Sequence, residues 1–151
     1  IRRPPRSTQS RSSAASDVYK RQALNNDPNE SCGILQGKGN TTTRFHKLKN
    51  IHEAPQNRYT IDPIELMNTE KICDDEDEAI IGFMHSHTHT QAYPSETDVK
   101  NALTSGYLDQ IYVIVSLVEK ARPIVKAFSI NNHGEISEIF IDFDGPKYIS
   151  R

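Results

Sequence analysis

The chain has 151 residues and a formal net charge of −2, with 35% apolar and 25% charged residues. This composition is typical of one globular domain that buries a core without disulfides, and two cysteines, Cys32 and Cys73, favour a reducing, cytoplasmic setting. No apolar run approaches the length of about 18 residues that a membrane span needs, and no secretory signal segment is apparent, so no membrane contact is expected.

The first 22 residues differ from the rest of the chain. They are rich in Arg, Ser and Pro and resemble the translation of a sequencing-library adapter. We therefore predict a non-native segment over residues 1–22, disordered or partly helical, and a native domain over residues 23–151 whose natural start is missing. Six basic residues against one acidic residue give the segment a net charge of +5, which leaves −7 for the remainder. An acidic domain binds nucleic-acid phosphates poorly, so no nucleic-acid partner is expected.

Apolar periodicity and turn residues predict the secondary structure in chain order. The predicted helices cover residues 17–26, 63–73 and 95–105, and the predicted strands cover residues 31–36, 41–48, 79–84, 111–118, 122–130 and 135–143. Asp62 and Pro63 are typical of a helix start, and Gly106 is typical of a helix end. The sequence therefore predicts an α/β domain with a mixed sheet of about six strands flanked by helices, because the last strands follow one another closely.

The segment from His85 to Asp98 carries the candidate chemistry. His85 follows the apolar run at residues 79–84, and side chains two apart on an extended backbone point to one side, so His85 and His87 project together. Asp98 lies in the first turn of the next helix, after a predicted cap at Ser95. The histidine pair alone is only suggestive, and the carboxylate makes the metal interpretation the stronger one. Two imidazoles and one carboxylate leave a fourth zinc position open for water, as in catalytic sites.

The pattern H-x-H, seven further residues and S-x-x-D resembles that of the JAMM metalloproteases, also called the MPN-plus or JAB family. The chain has this pattern at His85, His87, Ser95 and Asp98, with an upstream E-x-x-G-x-L that starts at Glu30. The resemblance implies a single JAB/MPN-type domain with a cytidine-deaminase-like fold, and Zn²⁺ as the cofactor held by His85, His87 and Asp98. It also implies that Glu30 is the general base and then the proton donor, and that Ser95 helps to stabilise the oxyanion.

Details of the motif are similar to the bacterial Mec-type branch of that family. Thr88 follows the second histidine, where many relatives have proline, and the string YTIDP at residues 59–63 also resembles this branch. Its members hydrolyse the bond between the C-terminal Gly-Gly of a ubiquitin-like sulfur-carrier protein and cysteine. The resemblance therefore implies a peptidase of cysteine biosynthesis whose substrate partner is a ubiquitin-like sulfur carrier with a thin, extended tail.

Three other functions are weighed against this one. An isopeptidase that removes ubiquitin-like modifiers from lysine would use the same residues, and it stays open. A non-catalytic MPN scaffold that only binds partners would lack the ligands, all of which are present here. A zinc deaminase would need a P-C-x-x-C segment, which this sequence does not contain. No motif specifies an oligomeric state.

Three neighbouring side chains are weaker candidates for a role in the site. His89 lies two residues beyond His87 and is a less favoured ligand, because the chain is expected to have turned there. Cys32 is two residues from Glu30 and can face the site, although a buried structural thiol is the favoured interpretation. Ser86 lies between the two histidines and is expected to point the opposite way.

Overall fold

The computed structural model describes residues 13–141 of the chain. The helices are α1 (Ser13–Asn26), α2 (Pro63–Asp75) and α3 (Glu96–Ser105), and the strands are β1 (Cys32–Lys38), β2 (Thr41–Leu48), β3 (Ala79–His87), β4 (Ile111–Ser116), β5 (Ile124–Ile130) and β6 (Ile136–Ile139). None of the helices in this part of the chain is long and apolar enough to cross a membrane. The predicted last strand reaches residue 143, and its final residues lie outside the described range.

All six strands form one sheet in the order β2-β1-β3-β4-β5-β6. The neighbouring strands β3 and β4 are parallel, and every other neighbouring pair is antiparallel. A parallel pair needs a crossover connection, and α3 lies within that crossover. The prediction of an α/β domain with a mixed six-stranded sheet and flanking helices is confirmed.

Apolar side chains cover both faces of the sheet. On one face the strands pack against α1 through a buried cluster that includes Tyr19, Ala23, Leu35, Met84, Val113 and Val115. On the other face they pack against α2 and α3 through a second cluster that includes Ile34, Cys73, Phe83, Ala102 and Tyr112. Because side chains alternate along a strand, residues 83, 85 and 87 of β3 all face α2 and α3.

The first helix crosses the boundary that the sequence analysis places after residue 22, and it begins earlier than predicted. Tyr19 is 3% exposed, and the Gln22 side-chain amide donates a 3.0 Å hydrogen bond to the carbonyl of the first residue of β1. Residues 1–12 lie outside the described part of the chain. The assignment of residues 1–22 to a non-native segment stays a prediction, because the origin of a segment is not a property of its fold.

Gly82 lies in β3 where this strand meets the start of β4. A Cβ atom at Gly82 would come 2.8 Å from the backbone oxygen of Ile111 and 2.6 Å from its Cγ1. The backbone oxygen cannot move without disturbing the pairing of the two parallel strands, so we expect Gly82→Ala to lower the free energy of unfolding by about 1–3 kcal/mol. Urea denaturation followed by circular dichroism measures this change, and an unaltered midpoint would contradict it.

Candidate functional site

The end of β3 places two imidazoles on the face of the sheet that packs against α2 and α3. His85 and His87 both lie within the strand, which extends past the predicted end at Met84, and they are 1% and 5% exposed. Ser86 points to the opposite face, where its Oγ accepts a 2.8 Å hydrogen bond from the backbone N–H of Ser31. Ser86 therefore joins β3 to the chain just before β1 and takes no part in the cluster.

The start of α3 brings a carboxylate to the same place. Ser95 is the N-cap, and its Oγ accepts a 3.1 Å hydrogen bond from the backbone N–H of Asp98. In return, Asp98 Oδ2 accepts a 2.9 Å hydrogen bond from the backbone N–H of Ser95, which completes a capping box. Burial opposes ionisation of Asp98, but the imidazole of His85 and hydrogen bonds from three groups outweigh it and hold the pKa of this carboxyl well below its usual range. The carboxylate is thus fixed by the helix start and stays charged.

Three potential ligand atoms converge at this point. His85 Nε2 lies 3.1 Å from His87 Nε2 and 3.2 Å from Asp98 Oδ2, and His87 Nε2 lies 3.0 Å from the same oxygen. Tetrahedral zinc with bonds of about 2.0–2.1 Å holds its ligand atoms about 3.3 Å apart, so the separations and the donor types fit such an ion closely. Within residues 13–141, this is the one group of three or more His, Cys, Asp or Glu side chains with such spacing.

Different contacts fix the two imidazole rings. His87 Nδ1 lies 2.9 Å from the backbone oxygen of Gln91, to which its N–H donates, so its Nε2 keeps a lone pair for a metal. His85 Nδ1 is buried and has no hydrogen-bond partner among the described residues. Its ring instead stacks on Tyr59, with ring centroids 4.5 Å apart and an interplanar angle of 21°. The stacked ring of Tyr59 is thus the contact that can orient His85, in place of the hydrogen bond that orients most metal-binding histidines.

We therefore expect Tyr59→Leu to weaken zinc binding by about 10- to 100-fold, the usual cost of losing an orienting partner of a metal ligand. Tyr59→Phe keeps the ring and serves as the matched control, with zinc affinity close to that of the wild type. Competition titration with a chromophoric chelator measures both affinities. Equal zinc affinity in the Leu and Phe variants would show that the stacked ring does not position His85.

Glu30 lies just before β1 in a site that favours a neutral carboxyl. It is 7% exposed, and its backbone N–H donates a 2.7 Å hydrogen bond to the carbonyl of Pro55. Burial raises the pKa of Glu30 to about 7, although the imidazoles of His85 and His87 act in the opposite direction. Such a carboxyl can accept and release a proton near neutral pH, as a general base must. It lines one cleft together with His87, Ser95 and Asp98.

A single side-chain amide organises the irregular segment between β2 and α2. Asn50 Nδ2 donates to the backbone oxygens of Glu30 at 3.0 Å and Arg58 at 2.9 Å, and Asn50 Oδ1 accepts from the backbone N–H groups of His52 and Thr60, both at 3.0 Å. These bonds fix the backbone on both sides of Tyr59. Sequence reasoning missed this role, and the only available signal was an asparagine, a favoured turn residue, where the strand pattern stops.

The remaining candidates lie near the cluster but outside it. His89 is exposed on the rim of the cleft and does not belong to the group of converging ligand atoms. Cys32 pairs with His85 across β1 and β3, is fully buried, and lies outside that group as well. Burial raises the pKa of its thiol to about 12, so it stays protonated. Both free cysteines of the chain are buried.

Comparison with known proteins assigns the family. A family model described as prokaryotic homologs of the JAB domain matches residues 13–131. The chain therefore belongs to the prokaryotic JAB-domain family, and the resemblance found in the sequence is confirmed. Among solved structures, a protein from Desulfitobacterium hafniense superimposes with a TM-score of 0.73 at 28% identity, over 89% of this chain and 92% of that one. A JAB1/MPN domain protein from Archaeoglobus fulgidus shares the fold with a TM-score of 0.54 at 18% identity, over 88% and 98% of the two chains.

Curated relatives have names that describe proteolysis. The CysO-cysteine peptidase of Mycobacterium tuberculosis is 34% identical over 109 residues, which cover 72% of this chain and 73% of the relative. The desampylase of Haloferax volcanii is 32% identical over 96 residues, which cover 62% of this chain and 67% of the relative. A protein from Thermus thermophilus described as a probable TtuB-protein conjugate cleaving protease is 32% identical over 79 residues, covering 52% and 53%.

Proposed function

We propose that the chain is a zinc-dependent peptidase that hydrolyses the bond between the C-terminal Gly-Gly of a ubiquitin-like sulfur-carrier protein and cysteine. The observation that carries the proposal is the convergence of His85, His87 and Asp98 beside a cleft that His87 and Asp98 line together with Glu30, whose pKa is raised to about 7. The similarity to a CysO-cysteine peptidase supports this choice of substrate. With it go a role in cysteine biosynthesis and a cytoplasmic location, which suits two buried free thiols.

The positions of the side chains support a separate catalytic role for each of them. His85, His87 and Asp98 would hold Zn²⁺, which when bound polarises a carbonyl group and makes a water molecule more acidic. Ser95 accepts the capping hydrogen bond through a lone pair, so its hydroxyl hydrogen is free to be donated to the oxygen that gains negative charge. Helix capping and oxyanion stabilisation are therefore compatible roles of one hydroxyl group.

Glu30 moves the proton that hydrolysis requires. In the charged state it takes a proton from the water that attacks the scissile carbonyl carbon, and a C–O bond forms. It then delivers that proton to the amide nitrogen as the C–N bond breaks, so the carrier leaves with a free Gly-Gly carboxyl and the second product is an amine. A carboxyl with a pKa of about 7 is suited to both halves of this transfer.

Cleavage of lysine-linked conjugates is the second candidate. The similarity to a desampylase and to a probable conjugate-cleaving protease favours it, and the same four side chains would serve. A non-catalytic scaffold is less well supported, because the three candidate ligand atoms lie within 4.8 Å of one another. The two catalytic proposals differ only in the leaving group, which is free cysteine in one and a lysine side chain in the other.

A cleavage assay on zinc-loaded protein tests the proposal. The substrates are a ubiquitin-like carrier that ends in Gly-Gly-Cys and the same carrier joined through Gly-Gly to a lysine side chain. We expect release of cysteine from the first substrate, measured by mass spectrometry, with one zinc ion per chain measured by elemental analysis. Cleavage of the lysine conjugate alone would favour the isopeptidase, and zinc-loaded protein that cleaves neither would overturn both catalytic proposals.

A further inference from the structure

Arg58 is held across the candidate cleft by contacts on two sides. Its Nη1 donates a 3.0 Å hydrogen bond to Thr97 Oγ1, which lies in the first turn of α3 beside Asp98. Its backbone oxygen accepts from Asn50, the same amide that holds the backbone oxygen of Glu30. The guanidinium group is therefore tied to the helix that carries Asp98, and the backbone of Arg58 is joined through Asn50 to the backbone of Glu30, the proposed base.

Arg58 shares the cleft with the carboxyl groups of Glu30 and Asp98 but forms an ion pair with neither. Of the described residues that line it, Arg58 is the one with a permanent positive charge, and most of the others carry amide or hydroxyl groups. No carboxylate among the described residues forms an ion pair with Arg58. Arg58 and Glu30 line the same cleft. The free N–H donors of the guanidinium group are thus available to an anionic group bound beside Glu30.

The leaving group of the proposed reaction brings such an anion. Glu30 delivers a proton to the nitrogen of the leaving cysteine, and the α-carboxylate of that cysteine is attached to the same carbon as this nitrogen. Two carboxylates, of which that of Glu30 is buried, would therefore lie close together, and an adjacent cation would offset their repulsion. A lysine side chain leaving from an isopeptide bond has methylene groups at this position and brings no charge.

We infer that Arg58 binds the α-carboxylate of the leaving residue and so makes the cleft selective for adducts whose last residue has a free C-terminus. This inference rests on the proposed function and adds a specificity residue to it. Arginine suits the role because its planar fork can donate two parallel hydrogen bonds to one carboxylate. Lys47 and Lys49 also line a groove with Glu30, but that groove includes none of the three proposed zinc ligands.

Two substrates and a set of variants test the inference with zinc-loaded protein. One substrate is the carrier that ends in Gly-Gly-Cys, and the other is the same carrier that ends in Gly-Gly-cysteinamide, which has no terminal charge. We expect the wild type to prefer the free acid by about 10- to 100-fold in kcat/KM, as is usual for a charge-assisted hydrogen-bonded pair. Arg58→Gln should lower kcat/KM for the acid to the level of the amide and leave the amide within about twofold. Arg58→Lys should keep part of the preference.

The outcomes separate the inference from the proposed function. A wild type that cleaves neither substrate overturns the proposed function. A wild type that cleaves acid and amide equally, or an Arg58→Gln variant that loses both to the same extent, overturns the inference and leaves the peptidase proposal in place. Thr97→Val removes the hydrogen bond that holds the guanidinium group and should reduce the preference for the acid, and an unchanged preference would show that the observed position of Arg58 does not set it. The assignment to Arg58 would also be overturned if Lys47→Gln or Lys49→Gln lost the preference for the acid while the Arg58→Gln variant kept it.

Discussion

Replacement of Glu30 by glutamine is expected to lower kcat by about 10²- to 10⁴-fold while zinc binding is retained. Glutamine has almost the same shape and leaves the backbone hydrogen bonds of residue 30 in place, but it cannot accept the proton of the attacking water. The measurements are single-turnover cleavage of the Gly-Gly-Cys adduct and zinc content by elemental analysis. An active Gln variant would remove Glu30 from the proton transfer, and loss of zinc would show that Glu30 supports the metal site instead.

The same substitution is expected to change the pH dependence of stability in the metal-free protein. Burial raises the pKa of Glu30 from 4.5 to about 7, so the folded state holds a proton that the unfolded state releases between these pH values. The free energy of unfolding of the wild type therefore falls relative to that of Glu30→Gln as the pH rises from 4.5 to about 7. Above about pH 7 this difference between the two proteins stays constant. We expect equal melting temperatures near pH 4 and a higher one for the variant at pH 8. A less stable variant at pH 8 would contradict the raised pKa.

Replacement of Asp98 by asparagine is expected to abolish tight zinc binding and, with it, cleavage. The asparagine oxygen can still accept the hydrogen bond from the Ser95 backbone, so α3 keeps its start, but the negative charge between the two imidazoles is lost. Zinc affinity should fall by more than the factor of about 10–100 that follows the loss of a hydrogen-bonding partner of a metal ligand. Isothermal titration with zinc measures it, and kcat/KM should fall in parallel.

Glu96→Gln provides the matched control for this experiment. Glu96 is an exposed carboxylate in the same helical turn and does not line the cleft, so its neutralisation should leave zinc affinity and activity near wild type. Equal loss of zinc binding in the two variants would indicate a general effect of charge at the helix start. Full zinc affinity in Asp98→Asn would remove this carboxylate from the metal site.

Those parts of the site that lie in regular elements could be predicted from sequence, because local rules place them. Alternation along an extended strand puts His85 and His87 on one side, and capping preferences start α3 at Ser95 with Asp98 in its first turn. The one inaccuracy in β3 is its end, predicted at Met84. An apolar pattern stops where buried histidines begin, but pairing with β1 and β4 continues through these polar residues.

The structure of the segment between β2 and α2 could not be predicted from such local rules. It has no apolar period, and its structure depends on side-chain contacts with residues distant in the sequence. The stacking of Tyr59 on His85 and the hydrogen bond from Arg58 to Thr97 are of this kind. Local propensities carry no information about such pairs, so the sequence identified the candidate metal-binding pattern but not the groups that orient and surround it.

The parallel pairing of β3 and β4 has a consequence for how much change the chain tolerates. Because β3 and β4 are parallel, the chain must cross back over the sheet, and α3 begins near the C-terminal end of β3. Residues 88–94 form a linker of fixed length between His87 and the start of that helix. The connection from α3 to β4 lies at the opposite end of these strands, away from the three candidate ligand atoms. Inserted residues in the linker would separate Asp98 from both imidazoles, whereas the same insertion near Asp109 leaves the cluster's geometry intact.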